Sequence, residues 1–236
     1  MKFTLIDNGA DSLKSAYENI EKLDELLEGG QHRIKDAVIF LNHGVEILLK
    51  LILKKHSPSL MFEKIPFYMD AKKKLKHDTT AKNVFDIDKS LKTVSLLEAL
   101  KRVEFLCDIE IPESLNASIL YVNGIRNQVM HYEVDLSDDE SSRLVSKLKF
   151  CYEESVKFLE MHIENLSTII EDSRFEITHE DYEDQEAEIY AEMQYEMERE
   201  AYLEDMHYEM QREMREEQEA HEQEMMESMY TDSHHR

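Results

Sequence analysis

Residues 34–55 read IKDAVIFLNHGVEILLKLILKK, and this stretch decides the fold. Apolar side chains fall on nearly every side of a helix drawn through it, so the helix belongs in the middle of others. Asn42, His43, Glu46 and Lys50 interrupt the apolar run, so it is not read as a membrane span. Its polar exceptions align. Asn42, Glu46, Lys50 and Lys54 follow one another at intervals of four and form one stripe. The stripe has two readings: a Glu46–Lys50 ion pair at a wet edge, or the border of a substrate-binding cleft. His43 lies beside it and reads as structural rather than catalytic.

Outward from this helix the periodicity stays helical. Residues 11–27 place Leu13, Ala16, Tyr17, Ile20, Leu23, Leu26 and Leu27 at a 3–4 spacing, and Gly29-Gly30 ends the run. His56-Ser57-Pro58 ends the central helix. Residues 57–88 are the least regular and carry Lys72, Lys73, Lys74 and Lys76, followed by His77. That cluster is either a solvated surface or a source of attraction for a phosphate backbone. Helical spacing resumes over 89–106, with Thr93 or Ser95 as its cap. Residues 109–112 form a short extended linker, and another helix then starts near Pro112 or Ser114. Ser137 and Glu140 make a capping box for a last core helix, predicted to run from 141 to about 170.

The totals agree with this picture. The 236 residues include only 5 Gly and 3 Pro, which favours long helices over many short strands. Two cysteines, Cys107 and Cys151, do not make a disulfide framework and point to a reduced, cytoplasmic interior. The first residues lack the apolar core of a secretory signal. The expectation is an all-α protein: an antiparallel bundle of about five helices over 1–170, then an acidic, partly helical or disordered extension over 171–236. Residues 1–170 hold 23 Lys+Arg against 28 Asp+Glu, and residues 171–236 hold 5 against 24, so the formal charge of −24 divides into −5 and −19. The acidity belongs to the extension. The bundle is nearly balanced, and nucleic acid is open to it as a partner.

Chemistry concentrates in residues 119–133, ILYVNGIRNQVMHYE. With Ile125 at zero and about 100° per residue, Val122, Ile125 and Val129 centre near ~35°, Arg126 falls near ~100°, Asn127 near ~200° and His131 near ~240°. The expectation is an inward apolar trio and a polar arc of Arg126, Asn127 and His131 pointing away from the core. Gly124 sits mid-helix, where glycine costs roughly 1 kcal/mol relative to alanine. Close approach of another backbone is one reason to keep it, and a dimer cleft follows.

RNQVMH over 126–131, together with GVEILLK over 44–50, resembles the HEPN superfamily. That superfamily has an antiparallel α-helical fold, and its active members carry Arg-x(4–6)-His, usually with a polar residue after the arginine. The resemblance spans about residues 10–168. It implies metal-independent RNA cleavage by a homodimer whose two Arg/His motifs meet at the interface, with Arg126, Asn127 and His131 as catalytic residues and no cofactor. Glu46, Lys50, Lys72, Lys73 and Lys74 are the candidate substrate-binding residues. Defence, growth arrest and RNA processing are the roles it implies. A toxin subgroup has Arg-x4-His-x-Tyr. Here Tyr132 follows His131 directly and Glu133 takes the next place, so the subgroup pattern is not met.

The extension has no counterpart in that family pattern. YEMERE at 195–200 recurs as YEMQRE at 208–213. Met193, Met197, Met206, Met210 and Met214 define a weak stripe on a solvated, intermittently helical segment; composition also fits disorder. The segment reads either as an arm that docks a protein partner or as an acidic mimic of nucleic acid that occupies the bundle's own site. His207, His221, His234 and His235 lack metal-ligand spacing, and no zinc site is expected. The alternative to a ribonuclease is a non-catalytic HEPN-like scaffold that dimerises and binds a nucleotide or protein, with the tail as docking or autoinhibitory arm.

Overall fold

A computed structural model describes residues 3–23, 26, 28–176 and 178–232. Leu27, His234 and His235, named above, lie outside them. The chain forms two compact units, residues 1–175 and 176–236. The described residues are all-α, without a β-sheet. None of their helices is long and apolar enough to cross a membrane.

In the first unit, α1 (Leu5–Leu23) starts earlier than its apolar spacing predicts. The cause is a reciprocal cap: Asp7 accepts from the Thr4 N–H at 2.8 Å, and Thr4 Oγ1 accepts from the Asp7 N–H at 3.4 Å. Its Ala10, Leu13, Ala16 and Ile20 are buried against α2 (Gln31–His56). The two helices meet at glycines. A Cβ on Gly9 would come within 2.4 Å of Leu48, and one on Gly44 within 2.9 Å of Leu13 and 3.1 Å of the Gly9 carbonyl oxygen. As its all-round apolarity predicts, α2 is central: it packs against α1, α5 (Leu96–Leu106), α6 (Glu113–His131) and α7 (Asp138–Glu160).

Residues 57–95 carry short elements. A 3-10 turn (Pro58–Met61) is followed by α3 (Ile65–Leu75) and α4 (Val84–Ile87), the latter closed by an Asn83/Asp86 capping box. Leu91 and Val94, predicted on a helix, are buried on an extended segment instead. That segment bonds to the turn: the Val94 N–H donates to Met61 O at 2.9 Å and the Glu63 N–H to Lys92 O at 3.0 Å. Ser95, not Thr93, caps α5. Arg102 locks the arrangement from α5, donating to Leu60 O and Phe62 O at 2.9 Å each.

The last core helix is two helices. α7 begins at the predicted Ser137/Glu140 box and stops at Glu160, and α8 covers Leu166–Asp172. Between them Asn165 takes φ 57°, a left-handed conformation that asparagine tolerates and that a continuous helix forbids. Ile163 and Leu166 on either side are buried, so the bend returns both to the core. The unit ends with Arg174 donating to Asp11 of α1 at 3.0 Å.

The second unit is α9 (His179–Asp232), one helix of 54 residues, about 80 Å long at 1.5 Å per residue. Thr178 and Asp181 cap its start reciprocally. It is continuous where the sequence predicted intermittent helix. Its described side chains are exposed, Met and Tyr included. The five methionines of the expected stripe spread over roughly half the helix circumference at ~100° per residue, so they do not make a narrow seam.

Candidate active site

The site is built at the crossing of α2 and α6. Asn42 is only 4% exposed, and its Nδ2 donates to Asn123 Oδ1 at 3.2 Å. Further along, Ile34 and Val38 of α2 line a hollow of about 380 Å³ with Ile125 and Val129 of α6 and Leu144 of α7. The neighbours on α6 rise in number as those on α2 fall, so the two helices run antiparallel. Two polar amides pinned in the crossing fix their register.

This crossing changes the direction of Arg126. The buried line of α6 is Leu115, Ile119 and Val122, not the trio of Val122, Ile125 and Val129. In the same angular frame, that line centres near ~87°, and Arg126 at ~100° continues it by one turn. Arg126 is therefore half-buried on the side of α2 rather than turned away from the core. Asn127 and His131 do face outward and are exposed, on a stripe with Leu120 and Gly124. The difference in direction arises because Ile125 and Val129 are apolar for the hollow rather than for the packed core. Arg126 Nη1 donates to Asn127 Oδ1 at 3.1 Å, so two of the three predicted residues are joined directly.

His43 of α2 lies within electrostatic reach of Glu46, Lys50, Arg126 and Asp11. The guanidinium lies close enough to oppose protonation of its imidazole. Partial desolvation of the ring is the largest cause, and with Lys50 and then Arg126 it holds the His43 pKa below 6.5 against the opposite pull of Glu46 and Asp11. His43 is nevertheless exposed at the surface. Its Nε2 lies 3.3 Å from Asn8 Oδ1 on α1.

The stripe on α2 is divided. Glu46 Oε1 accepts from Lys50 Nζ at 2.6 Å, and Lys50 Nζ also donates to Thr93 Oγ1 at 3.0 Å. Lys50 is 5% exposed, so its ammonium serves this internal pairing and Glu46 is the member with access to solvent. Lys54 is exposed one turn on. Lys72, Lys73 and Lys74 are exposed in the last turn of α3, a helix that packs on α4 and the 3-10 turn. A hollow of about 310 Å³ gathers Lys73 and Lys74 with Asp70 and His77. The three lysines form a patch of their own, not a wall of the Arg126 site.

Gly124 has nothing within 4 Å of where a Cβ would stand, so its own chain does not require a glycine there. Among the described residues no three His, Cys, Asp or Glu side chains converge as metal ligands. The arrangement offers a half-buried cation, Arg126, bonded to Asn127, with the exposed imidazole of His131 on the same helix. Those groups suit gripping an anion and moving a proton near it. Comparisons of the chain with protein-family models, with curated proteins and with solved structures return no match.

Proposed function

We propose that the protein is a metal-independent endoribonuclease of HEPN type that acts as a homodimer. The observation that carries this reading is the half-buried Arg126, turned onto the polar side of α2 and bonded to Asn127, with His131 exposed on the same helix. RNA brings its own nucleophile, the 2′-hydroxyl next to the phosphate. Cleavage then needs a proton acceptor, a proton donor and positive charge on the phosphorane oxygens. Arg126 supplies permanent charge with bidentate geometry. His131 supplies an imidazole that can transfer a proton. The open stripe of Leu120, Gly124, Asn127 and His131 is the face for the second copy, and Gly124 admits a close backbone there. Lys72, Lys73 and Lys74 attract the RNA backbone at a distance.

The test is cleavage of RNA in EDTA with analysis of the ends. The reading expects 2′,3′-cyclic phosphate and no cleavage of DNA. If sites are shared across a dimer, mixing inactive Arg126→Ala with inactive His131→Ala restores part of the activity; a mixture as silent as its components rejects the shared site.

A non-catalytic scaffold is the second reading, and α9 favours it. Tyr190, Tyr195, Met197, Tyr202, Met206 and Tyr208 are exposed on a helix that buries none of them. Such side chains on an acidic rod suit a docking arm for a protein with a basic, apolar groove. This reading expects no cleavage by the full chain or by a form lacking residues 176–236.

A further inference from the structure

We propose that the face formed by α3 and the extended segment before α5 binds an unpaired nucleic-acid strand, with Phe67 as the stacking platform for one base and two neighbouring hollows as seats for amino-bearing base edges. This deepens the ribonuclease reading and rests on it for RNA as the natural strand. No residue of the Arg126 site lines either hollow.

Charge in the first unit is segregated. Residues 63–92 hold 8 Lys against 5 Asp+Glu, whereas the rest of residues 1–170 hold 15 Lys+Arg against 23 Asp+Glu. All eight lysines are exposed, and among the described residues none of them forms an ion pair. Three of the five carboxylates serve their own loops: Asp78, Asp86 and Asp88 each accept from a backbone N–H no more than four residues away. The face is locally cationic on an anionic chain, which suits a polyanion.

An exposed ring stands among those lysines. Tyr68 turns inward and stacks on the buried Phe62, with ring centroids 4.6 Å apart, and Ala71 is buried one turn on. With that side of α3 committed to the core, Phe67 turns out and is 49% exposed. Lys64 Nζ sits 5.1 Å from the centre of its ring. Beside the ring lies a hollow of about 240 Å³, whose other walls are Glu63, Ser90, Leu91 and Lys92. Phe67, Asp70 and Lys74 share one flank of α3 at i, i+3 and i+7. The hollow of about 310 Å³ between Asp70, Lys73, Lys74 and His77 therefore follows the first along the helix. Phe67 and Lys74 are about 10.5 Å apart along the axis, the span of roughly three stacked nucleotides.

The composition of the hollows selects the ligand. Each combines one carboxylate with two lysines. Lysines alone suit phosphates of any kind. A carboxylate among them repels phosphate and has no use on an anionic lipid surface, but it accepts a hydrogen bond from the amino group of cytosine, adenine or guanine. The pairing edges of those bases are open only in an unpaired strand, and unpaired bases also stack on an exposed ring. Glu63 and Asp70 then meet base edges, while Lys64, Lys92, Lys73 and Lys74 meet the phosphates between them. Uracil and thymine carry no amino group, so the face favours cytosine over either.

The chain contains no tryptophan, so Phe67→Trp places a single indole at the platform. The experiment titrates this full-length variant with oligo(dC), oligo(dT) and a DNA duplex of equal length; DNA lacks the 2′-hydroxyl, so binding is read without cleavage. The expected result is quenching of the indole by oligo(dC), with affinity for oligo(dT) and for the duplex lower by at least about fivefold. In anisotropy with labelled oligo(dC), Phe67→Leu should bind about tenfold more weakly than the wild type, the scale of one lost stack, although leucine keeps an apolar surface. Wild-type affinity in Phe67→Leu overturns the proposal. So does equal affinity for oligo(dC) and oligo(dT), and so does an indole that responds to phosphatidylglycerol vesicles and not to oligo(dC). None of these results touches cleavage at Arg126. Conversely, a wild type that binds oligo(dC) through Phe67 and cuts no RNA overturns the ribonuclease reading and leaves the strand-binding face standing.

Discussion

The side chain of Asn42 donates to Asn123 across 3.2 Å, and this bond between α2 and α6 holds the two halves of the site in register. Because Asn42 is almost wholly buried, removing its partner leaves an amide without water or acceptor. Asn123→Ala should cost about 1–3 kcal/mol in urea denaturation. Asn42→Ala in the same background should then cost less than it does alone, because the two act as one unit. Additive losses would show that the bond does not couple the helices.

The glycines separate packing from assembly. Gly44→Ala forces a Cβ against Leu13 and the Gly9 carbonyl, and overpacking of this kind costs about 1–3 kcal/mol. Gly124→Ala meets open space and should stabilise the protomer by about 0.5–1 kcal/mol through helix propensity. If the Gly124 stripe is the dimer face, the same substitution weakens self-association in sedimentation. A variant that is both more stable and equally associated would remove that face from the account.

Lysines of the two groups should respond oppositely. Lys50→Met breaks a buried pair with Glu46 and Thr93, and should lower stability by roughly 1–3 kcal/mol without altering the salt dependence of RNA binding. Replacing Lys72, Lys73 and Lys74 by alanine should leave stability within about 0.5 kcal/mol, as exposed positions do. The triple change should reduce the slope of log K against log salt by about 0.7 for each phosphate that the lysines had neutralised. An unchanged slope would make the α3 cluster an ordinary solvated surface.

Two histidines set a pH dependence with a definite sign. His43 and His162 both have pKa values lowered in the fold, mainly by burial, so the unfolded chain binds protons more readily than the native one. Their contribution is therefore fully present above the ordinary pKa of 6.5 and is lost as pH falls below it. Denaturation midpoints should drop between pH 7 and 5, in steps of about one pH unit, and His43→Gln should flatten part of that decline. A midpoint that rises on acidification would contradict the lowered pKa values of these rings.

Much of this was legible from pattern. The all-round apolarity of α2 announced a central helix, Ser137 and Glu140 announced the start of α7, and the shift to Glu, Met and Tyr announced a segment of different character. The departures are physical and local. Leu91 and Val94 keep helical spacing, yet backbone bonds to the 3-10 turn hold them extended. Asn165 breaks a helix by a left-handed backbone that periodicity cannot register. At the site, the residue types were readable but their direction was not. An apolar trio that lines a hollow looks the same in sequence as one that fills a core, and that hid the turn of Arg126 toward α2. His43 was read as structural, and its hydrogen-bond partner Asn8 lies 35 residues away in sequence.

The central claim is that Arg126 anchors the phosphate in a metal-independent cleavage of RNA. Its most direct test is a cleavage assay in EDTA with the wild type and Arg126→Ala side by side, each first shown to be folded by circular dichroism. The account predicts oligonucleotides ending in 2′,3′-cyclic phosphate from the wild type and a loss of at least ~10²-fold in Arg126→Ala, the scale of one charged contact to the phosphorane. Cleavage by Arg126→Ala at the wild-type rate, or none by the wild type, would contradict it.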